Sequence, residues 1–242
     1  MASTEQQQRV PGTSEEEPLL GARGDASQVE GKPLYHNFVL GTGVMVQAGV
    51  WVIAAIIWGA VFSIDLSLFS AHPLLNSAAF LFLIQAILIL QPTHTRKQKK
   101  QGTYVHSALN GTAFLAAVAG LVVIEYNKFS HNGTHFVSTH AILGLVTYIL
   151  ILIQVLAGAL SFYAPGLLGG EEKAKGLYKY HRVGGYVTTV LMIFAIGAAT
   201  TTDFNVNVLG IQLWAIAVAS VVLVVGLAAR IRLSKFGWLA GK

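Results

Sequence analysis

Six apolar stretches, each about twenty residues long, constrain this chain more than any other feature of its sequence. They lie at about 42–64, 72–91, 104–125, 138–163, 181–200 and 208–229. An α-helix needs about twenty apolar residues to cross the roughly 30 Å hydrocarbon core of a bilayer. With 54% hydrophobic and 11% charged residues, the composition also suits lipid better than water. The sequence therefore predicts an all-α fold, a polytopic membrane bundle of six transmembrane helices.

The chain divides into three predicted regions. Residues 1–40 are rich in Gln, Glu, Gly and Ser, which predicts a disordered tail. The six-helix domain follows at 41–230, and residues 231–242 form a short C-terminal tail. The start of the chain lacks the pattern of a removable signal peptide, so the first span is expected to insert by itself.

Basic residues predict how the spans are oriented, because cytosolic flanks and short loops collect Lys and Arg. Fifteen of the sixteen basic residues fall on one side of the predicted topology, and only Lys128 falls on the other. Both termini are then cytosolic. The pI near 9.5 reflects these short clusters rather than a continuous basic face, so nucleic-acid binding is not expected. The fifteen residues are Arg9, Arg23, Lys32, Arg96, Lys97, Lys99, Lys100, Lys173, Lys175, Lys179, Arg182, Arg230, Arg232, Lys235 and Lys242.

Four histidines are the ionisable residues at membrane depth, and such residues indicate function. Each lies near the start of its own span: His72, His106, His140 and His181. Spans two and four begin outside the cytosol, whereas spans three and five begin inside it. His72 and His140 are therefore expected near the non-cytosolic face, and His106 and His181 near the cytosolic face.

Two histidines at equal depth on different helices suit bis-imidazole ligation of a haem iron. The sequence supplies this arrangement twice, which predicts two haems within spans two to five, on the order of 20 Å apart. The chain has no cysteine, so iron–sulfur clusters and thiolate ligands are excluded. A plainer interpretation places the four histidines at the water boundary, bonded to carbonyls or solvent.

Other residues near the four histidines suit either a flat cofactor or helix packing. Small residues give a porphyrin room at Gly102, Gly144, Gly184 and Gly185. Asn76 and Asn110 each lie four residues after a proposed ligand, where they could bond a haem edge or a neighbouring helix. Outside the spans, His131 and His135 are candidates for a non-cytosolic acceptor site, and Asn132 begins a glycosylation sequon.

Short motifs around these histidines resemble the cytochrome b561 family of eukaryotic ascorbate-linked transmembrane reductases. The similarity covers about residues 36–230, and the chain resembles the branch that lacks an attached extracellular redox domain. The motifs are Ala71-His72-Pro73-Leu74, Tyr104-Val105-His106, Phe136-Val137-Ser138-Thr139-His140, and Lys179-Tyr180-His181 with Gly184-Gly185.

The resemblance implies two haem b groups, one ligated by His72 with His140 and the other by His106 with His181. It implies cytosolic ascorbate as the donor, and a ferric chelate or monodehydroascorbate as the acceptor. Arg96 and Lys97 lie in the region where some family members bind ascorbate. No residue is expected to be catalytic in the sense of bond chemistry, because bis-histidine haems relay electrons. A homodimer in the bilayer is compatible with the sequence.

Two other functions remain open from the sequence. One is a haem-free six-span transporter or scaffold that uses the histidines for proton relay or packing. The other is a quinol-linked cytochrome subunit of a larger complex. Residues 15–20, Glu-Glu-Glu-Pro-Leu-Leu, look like an acidic dileucine sorting signal, which predicts an endomembrane such as the vacuole, lysosome, endosome or ER rather than the plasma membrane.

Overall fold

The structure is a computed structural model that describes residues 26–232. Six helices make up most of this part of the chain. The helices are α1 (Gly43–Phe62), α2 (Ala71–Leu90), α3 (Arg96–Ser130), α4 (Thr139–Tyr163), α5 (Glu171–Ala199) and α6 (Leu213–Ala229). Five are long and apolar enough to cross a membrane, and α6 is a shorter apolar helix of 17 residues. The prediction of an all-α polytopic bundle is confirmed.

Helices α3 and α5 begin well before the predicted spans. Thr95 caps α3: its hydroxyl accepts from the main-chain N–H of Gln98, and Gln98 Oε1 accepts from the N–H of Thr95. Two glycines at positive φ, Gly169 and Gly170, turn the chain into α5. The basic segments predicted as loops are therefore the first turns of these helices.

The predicted disordered tail ends earlier than expected. Within the described residues, Leu34–Phe38 form a short 3-10 helix before α1. Asn37 is buried there and donates to the main-chain oxygen of Ile89 and to Gln28 Oε1. Residues 28–40 thus belong to the folded domain. Residues 1–25 and 233–242, including the dileucine sequence and most of the C-terminal tail, lie outside the described residues.

The helices pack mainly as three antiparallel pairs: α1 with α6, α2 with α3, and α4 with α5. The α1–α6 pair depends on small residues that let the two backbones approach. A Cβ at Gly49 would lie 2.7 Å from the main-chain oxygen of Ala219, and one at Gly226 would lie 2.8 Å from Val46 Cγ2. The apolar core formed around α1, α2 and α6 includes Val50, Ile84 and Leu223.

A buried arginine ties the ends of three helices together. Arg230, only 2% exposed, follows α6 and donates to the main-chain oxygens of Leu40, Asn37 and Leu88. Gly43 leaves room for its guanidinium, because a Cβ there would collide with Nη1. This residue, which the charge pattern placed on the cytosolic side, thus joins α6 to α2 and to the segment before α1.

Gly49→Ala should destabilise the bundle, because the new methyl group cannot fit between α1 and α6. We expect a loss of about 1–3 kcal/mol, typical of overpacking, seen as a lower thermal midpoint of the detergent-solubilised protein. Gly59→Ala on the same helix is the matched control, since no atom lies within 4 Å of its added Cβ. Equal midpoints for the two variants would contradict the close α1–α6 contact.

Candidate functional site

The structure brings the four intramembrane histidines together as two pairs. His72 on α2 faces His140 on α4, with ring centroids 6.1 Å apart and ring planes at 88°. His106 on α3 faces His181 on α5, with centroids 6.3 Å apart and planes at 80°. All four side chains are half-buried. These are the two pairs that helix direction predicted.

Three of these histidines are held by the same type of hydrogen bond. Nδ1 of His72 lies 2.9 Å from the oxygen of Gly120, that of His106 lies 2.8 Å from the oxygen of Ala86, and that of His140 lies 2.9 Å from the oxygen of Ala195. Since a main-chain oxygen only accepts, each Nδ1 carries the hydrogen and donates it. Each bond crosses to the antiparallel partner helix, so it fixes both the tautomer and the ring orientation.

This arrangement fits a metal between the rings. A histidine that donates through Nδ1 keeps the lone pair of Nε2 free to ligate a metal. Two imidazole–metal bonds of about 2 Å each leave ring centres on the order of 6 Å apart. Both observed separations agree with that spacing. Within residues 26–232 no cluster of three or more His, Asp or Glu side chains is arranged to hold a metal ion.

The two pairs lie at different depths in the bundle. Gly120, whose oxygen marks the level of His72, lies about four helical turns after His106 along α3. Ala195, which marks the level of His140, follows His181 along α5 by the same interval. At 1.5 Å per residue, the levels are separated by about 21 Å.

A cavity of about 660 Å³ surrounds the His106–His181 pair. This volume lies within the range of roughly 300–1,000 Å³ that is usual for ligand and cofactor sites. Its apolar wall comes from α2, α3, α4 and α5, and five basic side chains also line it. These are Lys99, Lys100, Arg182, Arg230 and Arg232. The face of the bundle that they occupy is called the basic face below.

Only part of the predicted glycine role is seen. A Cβ at Gly144 or Gly185 would meet no atom within 4 Å, so both positions leave open space for a flat group. Gly102 instead packs on the end of α2, where a Cβ would lie 3.1 Å from Leu90 Cδ1. Gly184 accommodates the amide of Gln154 on α4. The last two glycines therefore serve helix contacts.

Both predicted asparagines hydrogen-bond protein groups. Asn76 donates to the main-chain oxygen of His72 and accepts from Tyr148 Oη at 2.6 Å, which joins α2 to α4 beside the His72–His140 pair. Asn110 donates to the main-chain oxygen of His106 and lies 3.1 Å from its Nε2. The expected contact with a neighbouring helix is thus made by Asn76.

The remaining candidate residues lie at the ends of the bundle. His135 Nδ1 is 3.1 Å from Glu125 Oε2, while His131 Nδ1 is 2.9 Å from the main-chain oxygen of Asn127. Arg96 and Lys97 are exposed in the first turn of α3, and neither lines the cavity.

The sequence model of the family described as eukaryotic cytochrome b561 matches residues 71–205, which contain all four histidines and helices α2 to α5. The match covers more than half of the chain. The chain belongs to the cytochrome b561 family. Membership implies haem b, for which the paired histidines and the cavity are suited. It also argues against the haem-free transporter that the sequence left open.

Curated proteins of the cytochrome b561 family are similar to this chain. The transmembrane ascorbate-dependent reductase CYB561 of Mus musculus is 25% identical over 170 residues, covering 69% of this chain and 65% of its own length. The transmembrane reductase CYB561D2 of Homo sapiens is 33% identical over 130 residues, covering 52% of this chain and 57% of its own. The chain thus spans between about half and two thirds of these relatives.

Sequence reasoning found the histidines but missed the groups that orient them. Any residue offers a main-chain oxygen, so Ala86, Gly120 and Ala195 carry no side-chain signal. The available signal was their common spacing, because each lies about four helical turns after the histidine of its own helix.

Tyr148→Phe should weaken the α2–α4 contact next to His72, since it leaves Asn76 Oδ1 without its donor. We expect a loss of about 1 kcal/mol in stability, read as a lower thermal midpoint in detergent. Tyr126→Phe serves as control, because Tyr126 is 60% exposed. A midpoint for Tyr148→Phe that matches the wild-type value would mean that the bond contributes nothing.

Proposed function

We propose that this chain is a two-haem transmembrane oxidoreductase, which passes electrons from ascorbate at the basic face to an acceptor at the opposite face. The observation that carries the proposal is the presence of two facing histidine pairs, about 21 Å apart in depth, on α2 to α5. One pair alone would suit a cofactor on one side only. Two pairs at two depths provide a route across the bilayer.

The proposed ligands are His72 with His140 and His106 with His181. A haem bound by each pair supplies one-electron storage at a fixed position. Nδ1 bonds orient the rings of His72, His106 and His140, and the two imidazoles of each pair would hold the iron of a haem between them. Because both histidines of a pair would be used in holding the iron, substrates would need only to approach the edge of a bound haem. We therefore assign two roles to the residues of this chain, holding the haems that relay electrons and binding the substrates. No residue is assigned a role in making or breaking bonds of a substrate.

Charge at the basic face supports an anionic donor. Lys99, Lys100 and Arg182 line the cavity that contains His106 and His181. Ascorbate is an anion near neutral pH, and a cationic rim raises its local concentration. The mouse relative is named an ascorbate-dependent reductase, which supports the same donor. Arg96 and Lys97 would contribute to long-range attraction only, since they lie outside the cavity wall.

The acceptor would meet the opposite face. His131 and His135 lie on the segment between α3 and α4, beside the end of the bundle that carries His72 and His140. Their imidazoles, with Glu125 paired to His135, offer nitrogen and oxygen donors for a ferric chelate. Monodehydroascorbate is the other acceptor that we propose. Both acceptors would receive one electron from the haem between His72 and His140.

The proposal includes an orientation and a membrane. The basic face would be cytosolic, in line with the charge rule, with both termini on that side. An endomembrane is favoured by the acidic dileucine sequence at residues 15–20. A homodimer in the plane of the bilayer remains part of the proposal and is tested by mass measurement in detergent.

The number of haems follows directly from the two pairs. Purified protein should contain two haem b groups per chain, measured as pyridine haemochrome against protein. His106→Ala and His72→Ala should each retain one haem, because the other pair is unaffected. His94→Ala, which changes an exposed residue outside the cavity, should retain two. One haem in the wild-type protein would disprove the pairing.

The donor site is tested by replacing charge at the cavity rim. Lys99→Gln with Lys100→Gln should raise the KM for ascorbate roughly tenfold, about 1.4 kcal/mol, with a smaller change in kcat. The paired change Arg96→Gln with Lys97→Gln removes the same charge just outside the cavity and should have less effect. If both double variants raise KM equally, the charge acts only at long range. Reduction by a quinol but not by ascorbate would overturn the proposed donor.

A further inference from the structure

A common spacing relates the four histidine-bearing helices. Each of α2, α3, α4 and α5 carries a histidine, and the position about four helical turns later faces the histidine of the antiparallel partner helix. In α2 and α3 this gives Ala86 and Gly120, whose main-chain oxygens accept from His106 and His72. In α5 it gives Ala195, whose oxygen accepts from His140. The fourth position, in α4, is Gln154.

The fourth position departs from the other three in residue type and in bonding. The three observed acceptors are Gly or Ala, whereas Gln154 brings a long polar side chain into the membrane interior. Nδ1 of His181 is buried, and among the described residues it has no hydrogen-bond partner. Oε1 of Gln154 is also buried and likewise has no hydrogen-bond partner within residues 26–232. A buried donor and a buried acceptor thus lack partners on the same pair of helices.

These two groups lie at one crossing of α4 and α5. Gly158, one turn after Gln154, faces the ring of His181: a Cβ there would lie 3.1 Å from Cε1 and 3.8 Å from Nδ1. Gly184, three residues after His181, faces the amide of Gln154, and a Cβ there would collide with Nε2. The oxygen Oε1 lies farther from that point, at 3.5 Å. Gln154 and His181 also line the same cavity.

We propose that Gln154 is the positioning residue for His181, with its side-chain oxygen accepting the Nδ1–H that a main-chain oxygen accepts in the other three histidines. A turn of the Gln154 side chain at the α4–α5 crossing brings the two unpartnered groups together. This inference rests on the proposed function, because it takes His181 as a haem ligand. Gln154 would then give the haem at His106 and His181 a side-chain hydrogen bond that the haem at His72 and His140 does not have.

The expected consequence is a change in the reduction potential of the haem between His106 and His181. A helical carbonyl shares its acceptor capacity with the N–H four residues later, whereas a side-chain amide oxygen is free to bond His181 alone. Stronger acceptance makes the imidazole more basic, and a more basic axial ligand favours ferric iron. Gln154 would therefore lower the reduction potential of the haem between His106 and His181.

The main-chain oxygen of Gln154 is the alternative acceptor, and two variants separate it from the side chain. Gln154→Met keeps the volume but removes the amide oxygen. Gln154→Ala reproduces the residue found at positions 86 and 195 and leaves the main-chain oxygen in place. If the side chain is the acceptor, both variants should shift the reduction equilibrium of this haem roughly tenfold towards ferrous iron, about 59 mV for one electron.

The measurement is a spectroelectrochemical titration of the purified holoprotein, with electron paramagnetic resonance of the ferric state. The same titration in a His72→Ala background, which retains only the haem at His106 and His181, assigns the shift. The haem at His72 and His140 is the internal control and should keep its potential. If Gln154→Met loses the haem, Gln154→Ala decides the result.

Two glycines of α5 provide a test variant and its matched control. Gly184→Ala places a methyl group where the Gln154 amide lies, so it should displace the amide and raise the potential. Gly176→Ala adds the same group on α5 where no atom lies within 4 Å, outside the cavity wall, and it should have no effect. In the Gln154→Ala background, Gly184→Ala should cause no further shift, because its effect acts through Gln154.

An unchanged potential in Gln154→Ala, with both haems present, would overturn this inference and assign the bond to the main-chain oxygen. The two-haem function would survive that result. By contrast, a wild-type protein without haem at His106 and His181 would remove the proposed function itself. The two failures are therefore distinguishable in one set of preparations.

Discussion

The bond from a histidine Nδ1 to a main-chain oxygen of the antiparallel partner helix is the interaction on which the rest of this site depends. It forms at His72, His106 and His140, each time across a helix pair. Such a bond satisfies a polar donor that lipid could not satisfy, and it turns Nε2 towards the facing histidine. In this cytochrome b561 protein, the same hydrogen bonds therefore join the helix pairs and orient the histidine rings.

The sequence predicted the spans and the histidine pairs because both depend on signals carried by side chains. Apolar runs of about twenty residues mark the helices, and helix direction alone places His106 with His181 and His72 with His140. The ends of the helices were harder to predict. α3 starts at Arg96 and α5 at Glu171 because a capping box and two positive-φ glycines extend helices beyond the apolar runs.

Other features lay beyond sequence reasoning for physical reasons. Arg230 looked like one more basic residue at a membrane edge, yet three main-chain oxygens hold it in the interior and beside the cavity. Residues 28–40 were predicted as tail together with the polar residues before them, but Asn37 bonds the end of α2. Both contacts join segments distant in sequence, and local composition does not report such contacts.

The antiparallel pairing also bears on how the protein is assembled. Helices α2 and α3 form one hairpin and α4 and α5 form another, and each hairpin carries one histidine of each facing pair. Neither hairpin alone carries both histidines of a facing pair. In the proposed holoprotein, each haem would therefore connect the α2–α3 hairpin to the α4–α5 hairpin, one at each depth. Cofactor supply would then limit maturation of the chain as well as its electron transfer.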